Sequence, residues 1–513
     1  MESLNYALLE EKKNNKYFLK TAPERVLQFG EGNFLRAFAD CFIDIMNEKA
    51  DFNTKVVICQ PLPNGLSEII NRQDGLYTLQ LKGIRDNAAV SENRIISCIS
   101  RCINPYSDFD ALLDCAKNPD LRFIISNTTE AGIVYDDSCC FDDRPQTSFP
   151  GKLTRFLYER YRSFKNQPGK GFIILSCELI DNNGEQLKSC VLSYARQWQL
   201  DEAFIQWLHI ENIFCSTLVD RIVPGYPKDE APQLWQQYGY RDDLLDVGEL
   251  FGLWVIEGPD KLKDELPFEA SKLPIIITND HQPYKQRKVR ILNGVHTAIC
   301  CGAYLSGART VLECMENNDI RSFIEKLIYH EVIPCLDLPE NELLSFAADV
   351  LNRFKNPLIR HELLSITLNT TSKLKSRILP SIKAFYNSKG TLPKCLTAAF
   401  AFYIALYRQF CIQNNGSRII KDTPAIIDFF KSHRYMPSDI LCRRLFTMTH
   451  IWGEDLSLIP GFENTIVNFL NILETKSVQA VIHLCTTAPS EIKISAVFPA
   501  PAYFQYPCLH YAA

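Results

Sequence analysis

One short segment concentrates the residues best suited to proton chemistry: Lys288-Val289-Arg290-Ile291-Leu292-Asn293-Gly294-Val295-His296. Read as a regular α-helix, it places Lys288, Asn293 and His296 within an arc of about 140°. Asn293 and His296, three apart, are neighbours on that face. Lys288 lies about 7.5 Å along the axis from Asn293 and reaches it by laying its stem along the helix. Ile291, Leu292 and Val295 are apolar and bury around it. Desolvation and nearby cations such as Arg290 and His296 lower a lysine pKa, which makes a neutral amine available as a general base. The same spacing also fits a surface lysine at a helix start with the asparagine and histidine satisfied in a core. The residues alone leave both readings open.

A second segment near the N-terminus is suited to phosphate. The β-rich run Arg25–Gly30 leads directly into Phe29-Gly30-Glu31-Gly32-Asn33-Phe34-Leu35-Arg36-Ala37, and a helical pattern runs from Phe34 to Asn47. The first glycine permits a tight strand-to-helix turn. The second lets a pyrophosphate approach the backbone at a helix N-terminus. Leu35 stands where a third glycine is usual, so a plain strand-to-helix turn also fits. The second β-rich run, Lys55–Gln60, ends without an acid for ribose hydroxyls; Gln60 is the polar side chain there. No arginine adjoins it to favour a 2′-phosphate, which leans the reading towards NAD while leaving NADP open.

These segments need a scaffold. Lys55–Gln60, Arg122–Ser126 and Gly171–Ser176 are near-continuous apolar runs separated by helical spacing, the pattern of a parallel, doubly wound α/β sheet. Leu273–Asp280 reads as its last strand. Beyond Pro283 the patterns are helical: Lys288–Leu305, Ile320–Val332, Leu343–Phe354, Leu396–Phe410 and Thr465–Leu473. The expected organisation is a Rossmann-like domain over residues 1–282, a mainly α-helical domain over 283–484, and an irregular tail over 485–513.

Composition narrows the classes. The chain has 513 residues, 46% hydrophobic and 22% charged, and a formal net charge of −5, which suits a globular protein of several domains and argues against a nucleic-acid partner. No run reaches the roughly 18 unbroken apolar residues of a membrane span; Cys395–Tyr407 reads as a core helix. The charged N-terminus gives no secretory pattern. The 19 cysteines show no CxxC pair, so neither a zinc ribbon nor a disulfide framework is expected. They read as reduced thiols of a cytoplasmic protein.

The glycine turn (GxGxFxRA, Gly30–Ala37) and the Lys-x4-Asn-x2-His pattern of Lys288, Asn293 and His296 together resemble the polyol-specific long-chain dehydrogenase/reductase family. That family includes mannitol dehydrogenase and the hexuronate-pathway reductases. Further similar stretches are ISNTTEAGI (Ile125–Ile133), CELIDNNG (Cys177–Gly184), VDRIVPG (Val219–Gly225), NPLIRHELLSITLN (Asn356–Asn369) and WGEDL (Trp452–Leu456). The resemblance implies NAD-dependent, metal-independent hydride transfer, and its hexuronate branch implies D-tagaturonate and D-altronate as the small-molecule pair. It places Lys288 as general acid/base, Asn293 and Asn183 beside the carbonyl oxygen, His296 as a substrate-orienting group and Asp220 as an acid near the site. Ser126, Asn127, Thr128 and Glu130 stand where the nicotinamide is contacted. A uronate carboxylate needs a cation; Lys373, Arg360 and His361 are the candidates.

Two sibling activities, fructuronate reduction and mannitol-type polyol oxidation, fit the same motifs. So does a dinucleotide-binding sensor without turnover. A zinc-dependent alcohol dehydrogenase lacks any ligand spacing. Oligomeric state is not encoded in these features.

Overall fold

The computed structural model describes residues 1–12, 17–85, 88–128, 132–165, 167–413 and 421–487. The chain forms two compact units, which divide between His281 and Gln282.

Among its described residues the first unit holds eleven strands: β1 (Glu24–Phe29), β2 (Lys55–Cys59), β3 (Tyr77–Arg85), β4 (Ala88–Ile96), β5 (Ile99–Ile103), β6 (Phe123–Ser126), β7 (Ile173–Ser176), β8 (Ile213–Asp220), β9 (Asp246–Glu249), β10 (Leu253–Glu257) and β11 (Ile275–Thr278). Eight form one sheet in the order β11-β10-β8-β7-β6-β1-β2-β5. From β8 to β5 every pair is parallel. The six strands β5-β2-β1-β6-β7-β8 are thus the 3-2-1-4-5-6 order of a doubly wound nucleotide-binding fold. β10 turns antiparallel to β8, and β11 follows it in parallel. A smaller sheet, β4-β3-β9, lies beside this core.

The apolar runs explain the layering. Along β1, β2, β6 and β7, alternate residues serve opposite faces. Val26, Val56, Ile58, Phe123 and Ile125 pack with Phe42, Ile45 and Met46 of the helix Ala39–Ala50. Leu27, Val57 and Ile124 pack on the other face with Leu153, Phe156 and Leu157 of the helix Phe149–Ser163 and Leu187 and Val191 of the helix Asn183–Gln197. Burial on both faces is why these strands lack polar alternation.

The helix expected over Phe34–Asn47 is broken at Phe38 (φ −120°, ψ −80°) into Asn33–Ala37 and Ala39–Ala50. The carbonyl of Arg36 accepts from the Tyr77 hydroxyl at 2.7 Å, and that of Ala37 accepts from the Arg221 guanidinium. Side chains that insert into the hydrogen-bond ladder kink a helix.

The second unit is helical; an isolated bridge between Thr310 and Glu362 is its only β pairing among the described residues. At its centre the helix Lys394–Gln413 packs on the helix Gly294–Leu305. Gly302 permits the approach: a Cβ there would sit 2.6 Å from the Phe402 ring. Lys394–Ile412 is long and apolar enough to cross a membrane, yet 78% of its most apolar window is buried within the protein, as in a core helix. Three stretches wind wider than an α-helix, with π-type turns at Lys288–Asn293, Leu327–Val332 and Leu374–Ile378. Cys485 and Thr486, placed in the irregular tail by sequence, complete the helix Val478–Thr486, and Cys485 is buried. Residues 488–513 of that expected tail lie outside the described residues.

Candidate functional site

The first unit gathers its candidate residues along the carboxyl edge of the parallel sheet. The chain moves to one side of β1 for β2 and β5 and to the other for β6, so the edge between β1 and β6 is the topological switch point where such sheets bind ligands. Gly30 leaves β1 there with φ +126°, and a Cβ on it would meet the Asn127 carbonyl oxygen at 3.1 Å and the Leu35 side chain at 3.3 Å. Two backbone bonds fix the turn to its neighbours, Gly30 N–H to Cys59 O and Asn127 N–H to Phe29 O, both 3.2 Å. Nothing lies within 4 Å of the Cβ position at Gly32. The open space over the Gly32 backbone, at a helix start, fits a pyrophosphate.

Several side chains assigned to cofactor contact are turned inward. Phe29 is fully buried against Phe149, and Leu35 packs beneath Gly30. The buried Arg36 guanidinium donates to the carbonyls of Glu31 and Leu244 and to Asn33 Oδ1, and lies 3.7 Å from Asp246. Phe34 stacks on Phe38. For Arg36, Leu35 and Phe29 the contact reading is therefore corrected to a structural one: they hold the turn whose backbone is exposed.

Gln60 is corrected likewise. Its amide donates to the carbonyls of Leu62 (2.7 Å) and Pro63 (3.2 Å) and its oxygen accepts from Ser67 N–H, so it shapes the loop after β2 instead of presenting a donor to a ribose. An acid does lie beside this loop in space, Glu31. Its carboxyl lies against Gly65 and Gln60, bonded by the Leu66 N–H, with its pKa raised by burial.

At the end of β6, Ser126 is buried and donates to Glu178 at 3.1 Å; two residues on, Thr128 gives the other carboxylate oxygen both its N–H and its hydroxyl, each at 3.1 Å. The Asn127 amide donates to Cys177 O. Glu130 lies outside the described residues. Glu178, 2% exposed and with its pKa raised by burial against these hydrogen bonds, is the organiser of this edge. Sequence reading missed it, because a single acid two residues past a strand carries no spacing signature.

Asn183 does not have the free donor that the oxyanion role requires. Its amide donates to Glu178 O (2.9 Å) and Thr217 O (3.1 Å), and its oxygen accepts from the N–H groups of Gly184 and Thr217. Four bonds exhaust it as a brace between β7, the following helix and β8. The adjacent Asn182 is half-buried at a left-handed φ of 50°, a conformation that a non-glycine residue holds only where its surroundings impose it. Asp220 closes β8 and is 3% exposed.

The second unit carries the lysine motif on the π-type turn Lys288–Asn293. The arc derived for a regular helix is corrected accordingly. A π turn bonds residue i to i+5, so Lys288 and Asn293 stand one turn apart on the same side, both half-buried. His296 begins the regular helix behind them, 7% exposed, stacked on Phe354 (centroids 4.3 Å) and edge-on to His361 (4.8 Å). Its Nε2 has no hydrogen-bond partner among the described residues. Burial, then His361, Arg353, Arg377 and Lys373, hold its pKa well below the usual range, so the ring is neutral.

Lys373 and His361 thus join His296 in one cluster with two arginines that sequence reading passed over, Arg353 and Arg377. Lys373 donates to Ile366 O at 2.8 Å, and its pKa is lowered by burial and by Arg377. Arg377 donates to Thr297 Oγ1 at 3.3 Å. Arg360, the third expected carboxylate partner, is corrected: its side chain is 78% exposed and paired with Glu362. Among the described residues no group of three or more His, Cys, Asp or Glu could hold a metal ion.

A 3-2-1-4-5-6 sheet with a glycine turn at its switch point, followed by a helical unit bearing a lysine, is the architecture of a dinucleotide-dependent dehydrogenase. The chain belongs to the mannitol dehydrogenase family: residues 24–270 match the mannitol dehydrogenase Rossmann domain and residues 280–474 the mannitol dehydrogenase C-terminal domain. It is 45% identical to altronate oxidoreductase of Bacillus subtilis (strain 168) over 474 residues, covering 92% of this chain and 97% of that protein. It is 46% identical to altronate oxidoreductase of Escherichia coli O7:K1 over 472 residues, covering 90% and 97%. Among solved structures it resembles Pseudomonas fluorescens mannitol 2-dehydrogenase in ternary complex with NAD and D-mannitol (TM-score 0.71, 22% identity, 95% of this chain and 100% of that one). It also resembles a substrate-free D-sorbitol dehydrogenase (TM-score 0.77, 20% identity, 94% and 100%).

Proposed function

We propose that this chain is an NAD-dependent oxidoreductase that interconverts D-tagaturonate and D-altronate. The observation that carries this reading is the near full-length similarity to relatives named altronate oxidoreductase. In this reading the first unit is the dinucleotide-binding domain and the second supplies the proton-transfer and substrate groups. The backbone of Gly30–Asn33 cradles the pyrophosphate, and the Glu31 carboxyl beside the loop after β2 disfavours a 2′-phosphate, which selects NAD over NADP. NAD, when bound, supplies or accepts the hydride.

The proton is the protein's task. In reduction, Lys288 gives its ammonium proton to the substrate oxygen as the carbonyl becomes a hydroxyl. In oxidation its neutral amine takes that proton back. Asn293, one turn away on the same side, donates to the same oxygen and stabilises the charge that develops there. The neutral His296 orients a substrate hydroxyl. Asp220 contributes a buried acid at the end of β8.

The test is NADH oxidation with D-tagaturonate, D-fructuronate and D-fructose, alongside direct NADH binding. D-Tagaturonate is expected to turn over fastest. Faster turnover of D-fructose would overturn the sugar-acid assignment, and tight NADH binding with no turnover of any of the three would make the protein a sensor.

A further inference from the structure

Four basic side chains from three stretches of the second unit lie near enough to His296 to act on its charge: Arg353, His361, Lys373 and Arg377. Phe354 stacks on the histidine ring, and Arg353 precedes it at the end of the helix Glu340–Phe354. His361 meets the same ring edge-on at 4.8 Å. Lys373 and Arg377 come from the stretch Thr370–Ile378, and Arg377 is tied to Thr297, the neighbour of His296 in sequence. The π-type winding of Leu374–Ile378 sets the position of Arg377 relative to Lys373. Two acids face this group. Asp422 accepts from Thr371 N–H and Oγ1 and from Tyr407. Asp349 lies near Arg353 and Arg287, with its own pKa pushed up to about 6 by burial.

The cluster gathers cations where a buried imidazole nitrogen has no partner among the described residues. Like charges brought together in a half-buried place repel one another, an arrangement whose repulsion an anionic ligand relieves. Arginine suits a carboxylate in particular, because its planar fork matches the two oxygens.

We propose that Arg353 and Arg377, with Lys373 and His361, form the subsite for the carboxylate of the sugar acid, and that this subsite selects acids over uncharged ketoses. The inference rests on the sugar-acid reading above and adds the residues that discriminate. Arg360 has no part in it, being exposed and paired with Glu362.

The experiment compares D-tagaturonate with its uncharged methyl ester as NADH-dependent substrates of the full-length enzyme and of Arg377→Gln, Arg353→Gln and Arg377→Lys. In each Arg→Gln variant kcat/KM for the acid should fall about 10–100-fold, the equivalent of losing one charge-assisted hydrogen bond, with most of the loss in KM. The ester should change by less than about threefold, so the acid-to-ester preference collapses; Arg377→Lys should restore part of it, because the charge returns without the fork. NADH affinity, read by fluorescence titration, should stay at the parent value in all three, which separates a lost subsite from a damaged fold. An unchanged acid-to-ester ratio in both Arg→Gln variants, in a parent that prefers the acid, would overturn the subsite while leaving the function standing. A parent with no turnover of any hexuronate would overturn both.

Discussion

Removal of the Glu178 carboxyl tests how the Ser126–Thr128 edge of the sheet is held. Glu178 is 2% exposed and accepts three hydrogen bonds at 3.1 Å, from Ser126 Oγ, Thr128 N–H and Thr128 Oγ1. In Glu178→Ala these donors lose their acceptor. A buried donor left unmet costs about 1–3 kcal/mol, although hydroxyls can rotate towards other oxygens, so the net loss is roughly 2–4 kcal/mol. For a unit of this size 1 kcal/mol moves the melting temperature by about 2–4 °C, which places the expected drop at roughly 4–16 °C. The loss should also reach the cofactor, because the freed Ser126–Thr128 segment lies beside the Gly30 turn. NADH affinity is expected to fall about tenfold. Glu178→Gln keeps one acceptor oxygen but turns an NH2 group towards a donor, and should lose about half as much. Thermal unfolding and NADH fluorescence titration read the two effects. If Glu178→Ala melts within about 2 °C of the parent and binds NADH as tightly, the carboxyl does not organise this edge.

Lys288→Ala should lower turnover about 10²–10⁴-fold with NADH binding intact; a near-parental rate in steady-state assays would remove Lys288 from proton transfer. Oxidation of D-altronate releases a proton and should speed up with rising pH, and a flat rate from pH 6 to 10 would contradict proton transfer in the rate-setting step. Gly30→Ala, at φ +126° and 3.1 Å from a carbonyl oxygen, should cost about 1–3 kcal/mol in urea unfolding and weaken NADH binding; parental behaviour in both would mean that the turn is not strained. The carboxyl of Asp40 is pushed up to about 7 from 3.8 by burial, and that of Asp246 equally to about 7. The native state therefore holds protons that the unfolded chain releases, so stability should fall as pH rises from about 4 to about 7 and then level off, with a ceiling of roughly 4 kcal/mol per group. Asp40→Asn keeps the bond from Gln28 Nε2 and should remove about half of that slope in melting curves recorded across the window. A slope equal to the parent's would show that Asp40 does not titrate there.

Much of the scaffold is legible because burial on both faces leaves a mark in single residues. β2, β6 and β7 show as near-continuous apolar runs, β1 as a β-rich run, and the glycine turn shows as Gly30 and Gly32. Features set by partners distant in sequence do not show. The break at Phe38 depends on Tyr77 and Arg221; the antiparallel turn of β10 and the sheet β4-β3-β9 depend on pairing. The same holds at the site. Lys288, Asn293 and His296 lie in one segment, so spacing alone is enough to single them out as candidates. The cluster around His296 draws on Arg353, His361, Lys373 and Arg377, which adjoin only once the helices pack. Gln60 and Asn183 have the right chemistry in the right places, but neighbouring carbonyls and N–H groups had already claimed it.

The π turn at Lys288–Asn293 acts as one residue accommodated inside an otherwise regular helix. The packed face of Gly294–Leu305 downstream is fixed by its core neighbours, so the additional residue is taken up entirely on the N-terminal side. It sets the direction in which the lysine leaves the helix. Loss of a single residue from Val289–Leu292 would restore ordinary winding and swing Lys288 by roughly 100° about the axis, with the core behind it undisturbed. The aim of the Lys288 side chain is thus written in the length of this turn as much as in the identity of the residue.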